Sequence, residues 1–466
     1  MIAMRLLLLK PPSNFHLIAL PMGIGYVASY LKNKMGQDID ILFLDCLRDK
    51  YDHNKFSDYV KEVKPDMIGI TANSMEINSA LKCCNITKII NRRIITVIGG
   101  PHATVLPEEV LSNKDVDFIF RGEADLSFYE FIKSLQNRSA FSGIPGLGYK
   151  SKGKMEFNPV EMPQNLDELP MMDLNLMQFK RYPKTYKMKY YPSAPILTSR
   201  GCPFPCTYCS ARRISGEKFR SRSPENIVRE IKQIKSQYNV REFEVWDDNF
   251  TLNNKRAHEF CDLLIQEKIN LPWWCPNGLR LETLDETLLK KMSMAGLYSI
   301  GLGIESGSPR TQRNMRKNLD FDKLKKIVKL GNKYGIRMEG FFILGYPTET
   351  EEDILQTIGL AKELPLKRAA IFLFQPIPGS EIYDALKKDG KIHDMNYGGI
   401  LYSNPSFLPE GIQSLKRLKG LQQKAYLEFY LRPRIFFDFM RENFTFQQLK
   451  EVWDMIKTYI FNRNPT

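Results

Sequence analysis

The stretch "TSRGCPFPCTYCSARRISGEKFR" (residues 198–220) places Cys202, Cys206 and Cys209 in a C-x3-C-x2-C spacing and follows them with a run of positive charge. No fourth cysteine or histidine stands nearby, and Cys261 and Cys275 are scattered singly. A structural zinc site closes four ligands, usually as two pairs. Three thiolates on one loop instead suit an iron–sulfur cube with one iron left open to a substrate. Zinc is the alternative reading. Pro203 and Pro205 keep the loop extended, so its sulfurs can converge on one centre.

Downstream, short apolar runs alternate with helical patterns. Strands are expected at "APILTSR" (194–200), "EFEVWDD" (242–248), "WWCPNGLRL" (273–281), "YSIGLGIES" (298–306), "RMEGFFILG" (337–345) and "RAAIFLFQP" (368–376). Ser223 and Pro224 form an N-cap and first-turn pair ahead of Ile227, Val228, Ile231 and Ile234 on one helical face. Thr283 and Glu286 read as a capping box opening "LDETLLKKMSMAG" (284–296), which Gly296 closes. Six β/α repeats across 191–400 predict a partial (β/α)6 TIM-type barrel, with chemistry at the carboxyl ends of its strands. The cysteine loop follows the first of them.

Upstream, residues 1–140 predict a doubly wound, flavodoxin- or Rossmann-like α/β domain. Its strands are "RLLLLK" (5–10), "DILFLD" (40–45), "MIGIT" (67–71), "ITVIGG" (95–100) and "VDFIFRG" (116–122). Ligands in such sheets bind at the carboxyl strand ends, here "PPSNFH", "TANS", "GGPHAT" and "RGEAD". Residues 141–190 read as a linker with one small hairpin near "GYKSKGKMEF" (148–157). Residues 401–466 read as a helical cap. From 411 onward this region carries ten Lys/Arg against five Asp/Glu and eleven aromatics. Phe436, Phe437, Phe439, Trp453 and Tyr459 are expected to pack onto the barrel, with part of the aromatic face available to line a substrate entrance or touch an anionic membrane.

The 466 residues are 43% hydrophobic and 26% charged, ordinary for folded domains, and no apolar run approaches a membrane span. The start "MIAMRLLLLKPPSN" reads as a buried strand rather than a leader. Eight cysteines without a paired framework point to a reducing, cytoplasmic compartment. The formal charge of +14 permits an acidic partner, but no module for specific nucleic-acid binding is present.

With Tyr208 before the last cysteine, the triad resembles the radical S-adenosylmethionine (SAM) superfamily. "VWDDNFTLN", "GLGIESGS" with "NMRKN" behind it, and "FFILGYPTETEEDI" resemble its strand-end motifs. "LPMGIGYVASYLK", "GGPHATVLPEEVL" and "VDFIFRGEAD" resemble its cobalamin-binding branch. The resemblance implies that Cys202, Cys206 and Cys209 hold a 4Fe–4S cluster whose open iron chelates SAM, and that cleavage releases a 5′-deoxyadenosyl radical. It places Asp247 or Asp248 near the SAM ammonium, although both could simply end a strand. It places Glu305 and Ser306 near the ribose, and Gly345 to Thr348 with Gln375 near adenine.

For cobalamin it implies tail-binding loops at Thr71 to Ser74 and at Gly99 and Gly100, lined by His102. The D-x-H-x-x-G pattern is missing, and His16 lies outside any such motif, which argues against a histidine ligand to cobalt. Arg212 and Arg213 read as a solvated charge run. Cys83, Cys84, Cys261 and Cys275 read as core thiols.

The expected activity is a cobalamin-dependent C-methyltransferase acting on an unactivated carbon, through methylcobalamin and a 5′-deoxyadenosyl radical. A radical cyclase or rearrangement enzyme with the same cofactors is the runner-up. A cobalamin-binding protein without turnover would need no open iron. A methylthiotransferase would need a second cluster, and Cys46, Cys83 and Cys84 do not form one. The implied partners are a small, hydrophobic or lipid-like substrate and a one-electron reductant such as flavodoxin or ferredoxin.

Overall fold

The computed structural model describes residues 4–13, 18–392, 397, 403–440 and 446–459. Its first sheet is built on β1 (Met4–Lys10), whose consecutive leucines face opposite ways. Leu6 and Leu8 enter one apolar cluster, and Leu7 and Leu9 the other. Burial on both faces is what a central parallel strand requires. Around it stand β2 (Ile39–Asp45), β3 (Met67–Thr71), β4 (Ile95–Gly99) and β5 (Phe118–Phe120), all parallel, in the order β2-β1-β3-β4-β5. This is the flavodoxin-like order, in which the switch point lies between the first and third strands.

The small hairpin forms, as β6 (Leu147–Ser151) and β7 (Lys154–Phe157). It belongs to the first sheet rather than to a free linker, because β6 pairs antiparallel with β5. Helix 53–63, which the sequence reading passed over, packs Phe56 and Val60 into the cluster on one face of that sheet.

The second sheet holds the six expected strands. They are β8 (Ser193–Ile196), β11 (Glu242–Val245), β12 (Trp273–Leu279), β13 (Leu297–Glu305), β14 (Arg337–Leu344) and β15 (Arg368–Leu373). All are parallel and lie in chain order, an open six-stranded barrel. Two short strands, β9 (Ser199–Arg200) and β10 (Arg220–Ser221), pair antiparallel across the cysteine loop. Ser223 caps helix 224–238 through its Oγ, which accepts from the Asn226 amide at 3.2 Å. The next expected cap is displaced. Asp285, not Thr283, caps helix 286–294, accepting from the Leu288 amide at 2.8 Å. Thr283 Oγ1 turns back to the Arg280 carbonyl.

The amino ends of the barrel strands are closed by the incoming chain. Lys187 Nζ meets Glu339 Oε2 at 3.1 Å, and the Lys189 and Tyr190 amides donate to Glu242 Oε2 at 3.0 and 2.7 Å. The free edge of β15 is covered by helix 415–430. Gln422 Nε2 donates to the Ile371 carbonyl, Tyr426 Oη accepts from the Ile371 amide, and Tyr430 Oη engages both backbone groups of Ala369. Side chains thereby replace the missing strand partner.

The remaining cap departs from expectation. Tyr459 rests against Tyr426, but Phe436, Phe437 and Trp453 are 46%, 60% and 51% exposed. The Phe439 side chain lies outside the described residues. Among the described residues no helix is long and apolar enough to cross a membrane.

Candidate active site

The cysteine loop leaves β9 and returns at β10. Gly201, with φ +89°, makes the exit turn, and a Cβ there would fall on the Lys218 carbonyl oxygen. The Cys202 amide donates to the Gly216 carbonyl, and the Cys209 amide to the Cys206 carbonyl. Cys202 and Cys206 are half-buried and Cys209 is exposed. Burial raises the Cys202 thiol, opposed by the Phe204 amide. Arg280, from the end of β12, donates to Cys206 Sγ at 3.3 Å, stacks on the Phe204 ring at 3.8 Å and bonds the Lys317 carbonyl at 3.0 Å.

A cation at one sulfur and the Ala211 amide at another (3.5 Å from Cys209 Sγ) suit an electron-rich cluster. Among the described residues no three His, Cys, Asp or Glu side chains are gathered as around a single ion. A cube binds each thiolate on a separate iron, so the loop fits it in donor type and number.

Three expected SAM contacts are occupied by the fold. Asp247 is 1% exposed, and its carboxylate accepts from the Thr198 amide at 2.6 Å and from the Thr198 and Ser199 hydroxyls. It fastens β8 to β11 beneath the loop, with Arg256 beside it at 3.7 Å. Asp248 points to the loop, accepting from the Gly201 amide at 3.3 Å, and burial raises its carboxyl. Ser306 is fully buried between Thr357 and Glu349. Gln375 is likewise buried, its amide donating to the Asn404 carbonyl.

Glu305 stands apart. Its φ is +65°, the Ser306 amide closes a three-residue turn onto the Ile304 carbonyl, and Gln312 Nε2 clamps the Ile304 carbonyl at 2.7 Å. A non-glycine residue in this conformation must be held there by its surroundings. Glu305 meets Lys317 Nζ at 3.4 Å, and both burial and this carboxylate raise the Tyr208 hydroxyl. Lys317 and Arg280 went unnoticed in the sequence, Lys317 appearing only within "NMRKN".

In the first domain, Thr71 ends β3. Gly100, with φ +94°, packs so closely that a Cβ would lie 2.8 Å from Thr71 Oγ1 and 3.0 Å from the Ala72 carbonyl oxygen. Chain packing alone therefore accounts for that glycine, whereas a Cβ on Gly99 would meet nothing nearer than Phe120 at 3.8 Å. His102 does not line an open loop. It is fully buried, with Nδ1 3.0 Å from Ser74 Oγ, Nε2 3.5 Å from Glu109, and its ring edge-on to Tyr397. His16 lies outside the described residues.

The carboxyl-end loops of the two sheets face each other. Arg200 Nη1 donates to Glu123 Oε2 and Asp125 Oδ2, both at 2.8 Å, and Nη2 to Asp125 Oδ1 at 3.1 Å. Arg220 donates to both Glu123 oxygens at 3.0 and 2.6 Å. The Arg200 guanidinium also lies over the Tyr26 ring at 5.0 Å. A Cβ on Gly379, after β15, would strike Val105 of the first domain and lie 3.4 Å from Ser210 of the cysteine loop. Arg212 and Arg213 pair outward with Glu217 and Asp384.

An open parallel barrel with a three-thiolate loop, facing a flavodoxin-like domain, defines a radical SAM enzyme of the cobalamin-binding class. Residues 196–361 match the Radical SAM superfamily and residues 13–132 the B12 binding domain. The chain is 30% identical over 464 residues to the uncharacterized methyltransferase PH0819 of Pyrococcus horikoshii, covering 98% of this chain and 99% of that one. It thus belongs to the cobalamin-dependent radical SAM family, with a 4Fe–4S cluster, SAM and cobalamin as cofactors. The anaerobic magnesium-protoporphyrin IX monomethyl ester cyclase of Rubrivivax gelatinosus is 27% identical over 380 residues, 80% of this chain and 67% of that one. Among solved structures, the radical SAM methyltransferase TsrM of Kitasatospora setae, with cobalamin and a [4Fe-4S] cluster bound, shares the fold. Its TM-score is 0.69 at 16% identity, covering 89% of this chain and 84% of that one.

Proposed function

We propose that this enzyme methylates an unactivated carbon of a small hydrophobic molecule, using SAM both as radical source and as methyl donor. One observation carries the reading. The three-thiolate loop is pinned directly against the carboxyl-end loops of the cobalamin-type domain, which brings a radical centre and a methyl carrier to one seam. The methyltransferase relative spanning nearly the whole chain supports it. When bound, the cluster supplies the electron that splits SAM, and cobalamin carries the methyl group.

The chain's own residues supply position and exclusion of water. Asp248, beside the loop, is the carboxylate placed to meet the SAM ammonium. Glu305, held in its turn and joined to Lys317 and Tyr208, is placed to meet the ribose. Thr71 to Ser74, after β3, and Gly99 and Gly100, after β4, would meet the cobalamin tail.

The barrel's inner face argues for the substrate. On β14, Phe341 and Ile343 are half-buried while Phe342 and Leu344 between and beyond them are fully buried, and Phe372 on β15 repeats this alternation. Toward their carboxyl ends the half-buried side of these two strands is apolar, which supports a hydrophobic substrate. A one-electron donor such as a flavodoxin or ferredoxin completes the reaction. Cyclisation by the same radical is the second reading, favoured by the Rubrivivax relative.

Anaerobic reconstitution, followed by incubation with deuterated-methyl SAM, reductant and a cell extract, tests the proposal. A product heavier by the labelled methyl is expected, lost in Cys202→Ala, Cys206→Ala or Cys209→Ala together with 5′-deoxyadenosine. A product that changes mass without taking label would replace methylation by cyclisation or rearrangement.

A further inference from the structure

We infer that Arg200, Arg220, Glu123 and Asp125 form an interdomain latch that sets the separation of the iron–sulfur cluster and the cobalt. The thiolate loop has two roots, and an arginine stands at each. Arg200 on β9 and Arg220 on β10 face each other in register. Two guanidinium groups on opposed residues repel one another, a cost that negative charge between them offsets. That charge does not come from the barrel. It comes from Glu123 and Asp125, in the loop following β5 of the cobalamin-binding domain.

The four side chains are between 5% and 11% exposed, so water does little to substitute for a missing partner. Both arginines bind in the two-pronged manner that fixes angle as well as distance, which a lysine's point charge would not reproduce. Tyr26, from the helix after β1, stacks on Arg200 and adds a third point from the same domain. The loop that carries the thiolates is thus seated on the other domain at its two ends. None of these groups reaches a cysteine sulfur, so they are positioning residues.

The distance can be read without knowing the substrate. In reconstituted holoenzyme, pulsed electron paramagnetic resonance between Co(II) and the reduced cluster should report one narrow separation. Asp125→Asn and Glu123→Gln keep shape and remove charge. They should broaden that distribution and shift it outward at unchanged iron and cobalamin content, with SAM cleavage continuing. The exchange Arg200→Glu with Asp125→Arg should narrow it again. An unchanged, narrow distance in both single variants overturns the inference. So does loss of cobalamin from Asp125→Asn, which would make that carboxylate part of the cobalamin seat. If the single variants do not accumulate as folded protein, the exchange variant decides alone, a scattered distance counting against the latch. The readout contains no substrate, so failure of methyl transfer would leave it standing.

Discussion

Gly201→Ala isolates what holds the cysteine loop in shape. The residue sits at φ +89°, where an L side chain costs about 1–2 kcal/mol. Its Cβ would also overlap the Lys218 carbonyl oxygen and lie 3.1 Å from that of Ser215. Both oxygens belong to backbone just before β10, so relief requires the loop's return to move, at about 1–3 kcal/mol more. The sum, about 2–5 kcal/mol, lowers the population of the closed loop roughly 30- to 4,000-fold. Gly216→Ala is the control. Its φ of +85° carries the same backbone cost, but the obstacle is Met162 Sδ at 2.8 Å, the end of a pliable side chain. Iron and sulfide per chain after anaerobic reconstitution, measured beside the Tm of the apoprotein, separate the two. Gly201→Ala should lose most of its cluster while its Tm moves little, because the loop lies outside both cores. Gly216→Ala should keep most of its cluster. Equal, full loading of both variants would refute the reasoning.

Two carboxylates at the barrel floor should respond to pH with opposite sign. Glu339 is desolvated, yet Lys187, Arg337 and Arg368 outweigh that and hold it at about 2, so its contribution is present above its ordinary 4.5 and vanishes as pH falls toward 2. Glu339→Gln should cost about 3–5 kcal/mol near neutrality and flatten the acid limb of stability, measured by denaturant unfolding. Burial pushes Glu242 up to about 7, so its contribution is intact below 4.5 and erodes as pH rises to 7; Glu242→Gln should exceed the parent in stability only above that range. His102→Ala should destabilise the first domain by about 1–3 kcal/mol through the orphaned Ser74 contact, yet leave the Co(II) spectrum without change in nitrogen coupling. Phe436→Ser with Phe437→Ser should shift stability by no more than about 2 kcal/mol in total, since the two rings are 46% and 60% exposed, and a loss of more than about 4 kcal/mol would restore the packed-cap reading.

The strands were legible because each carries its own apolar rhythm, and the triad because its three sulfurs lie within one short loop. What failed were readings that depend on who arrives from elsewhere. Asp247 and Ser306 look like ligands at strand ends, but the Thr198 amide and hydroxyl consume the first, and Thr357 of helix 351–363 with Glu349 the second. Thr283 fits the spacing of a cap, yet Asp285 sits nearer the first turn and takes the role. The aromatic periodicity of 433–459 reads as a buried face, and nothing local tells that the sheet edge is already covered by helix 415–430. Arg200 and Arg220 find their carboxylates 75 to 97 residues away, a pairing with no local signature.

The closure of the barrel floor by residues 187–190 has a consequence for traffic. With Lys187 and the Lys189 and Tyr190 amides bonded to Glu339 and Glu242, the incoming chain lies across the amino-terminal ends of β14 and β11. For the proposed reaction, substrate and nucleoside would then pass by the opposite end, where the other domain stands. On the proposed function the seam between the domains would serve as corridor as well as reaction site, so a change in its width should alter admission of substrate together with the meeting of the two cofactors.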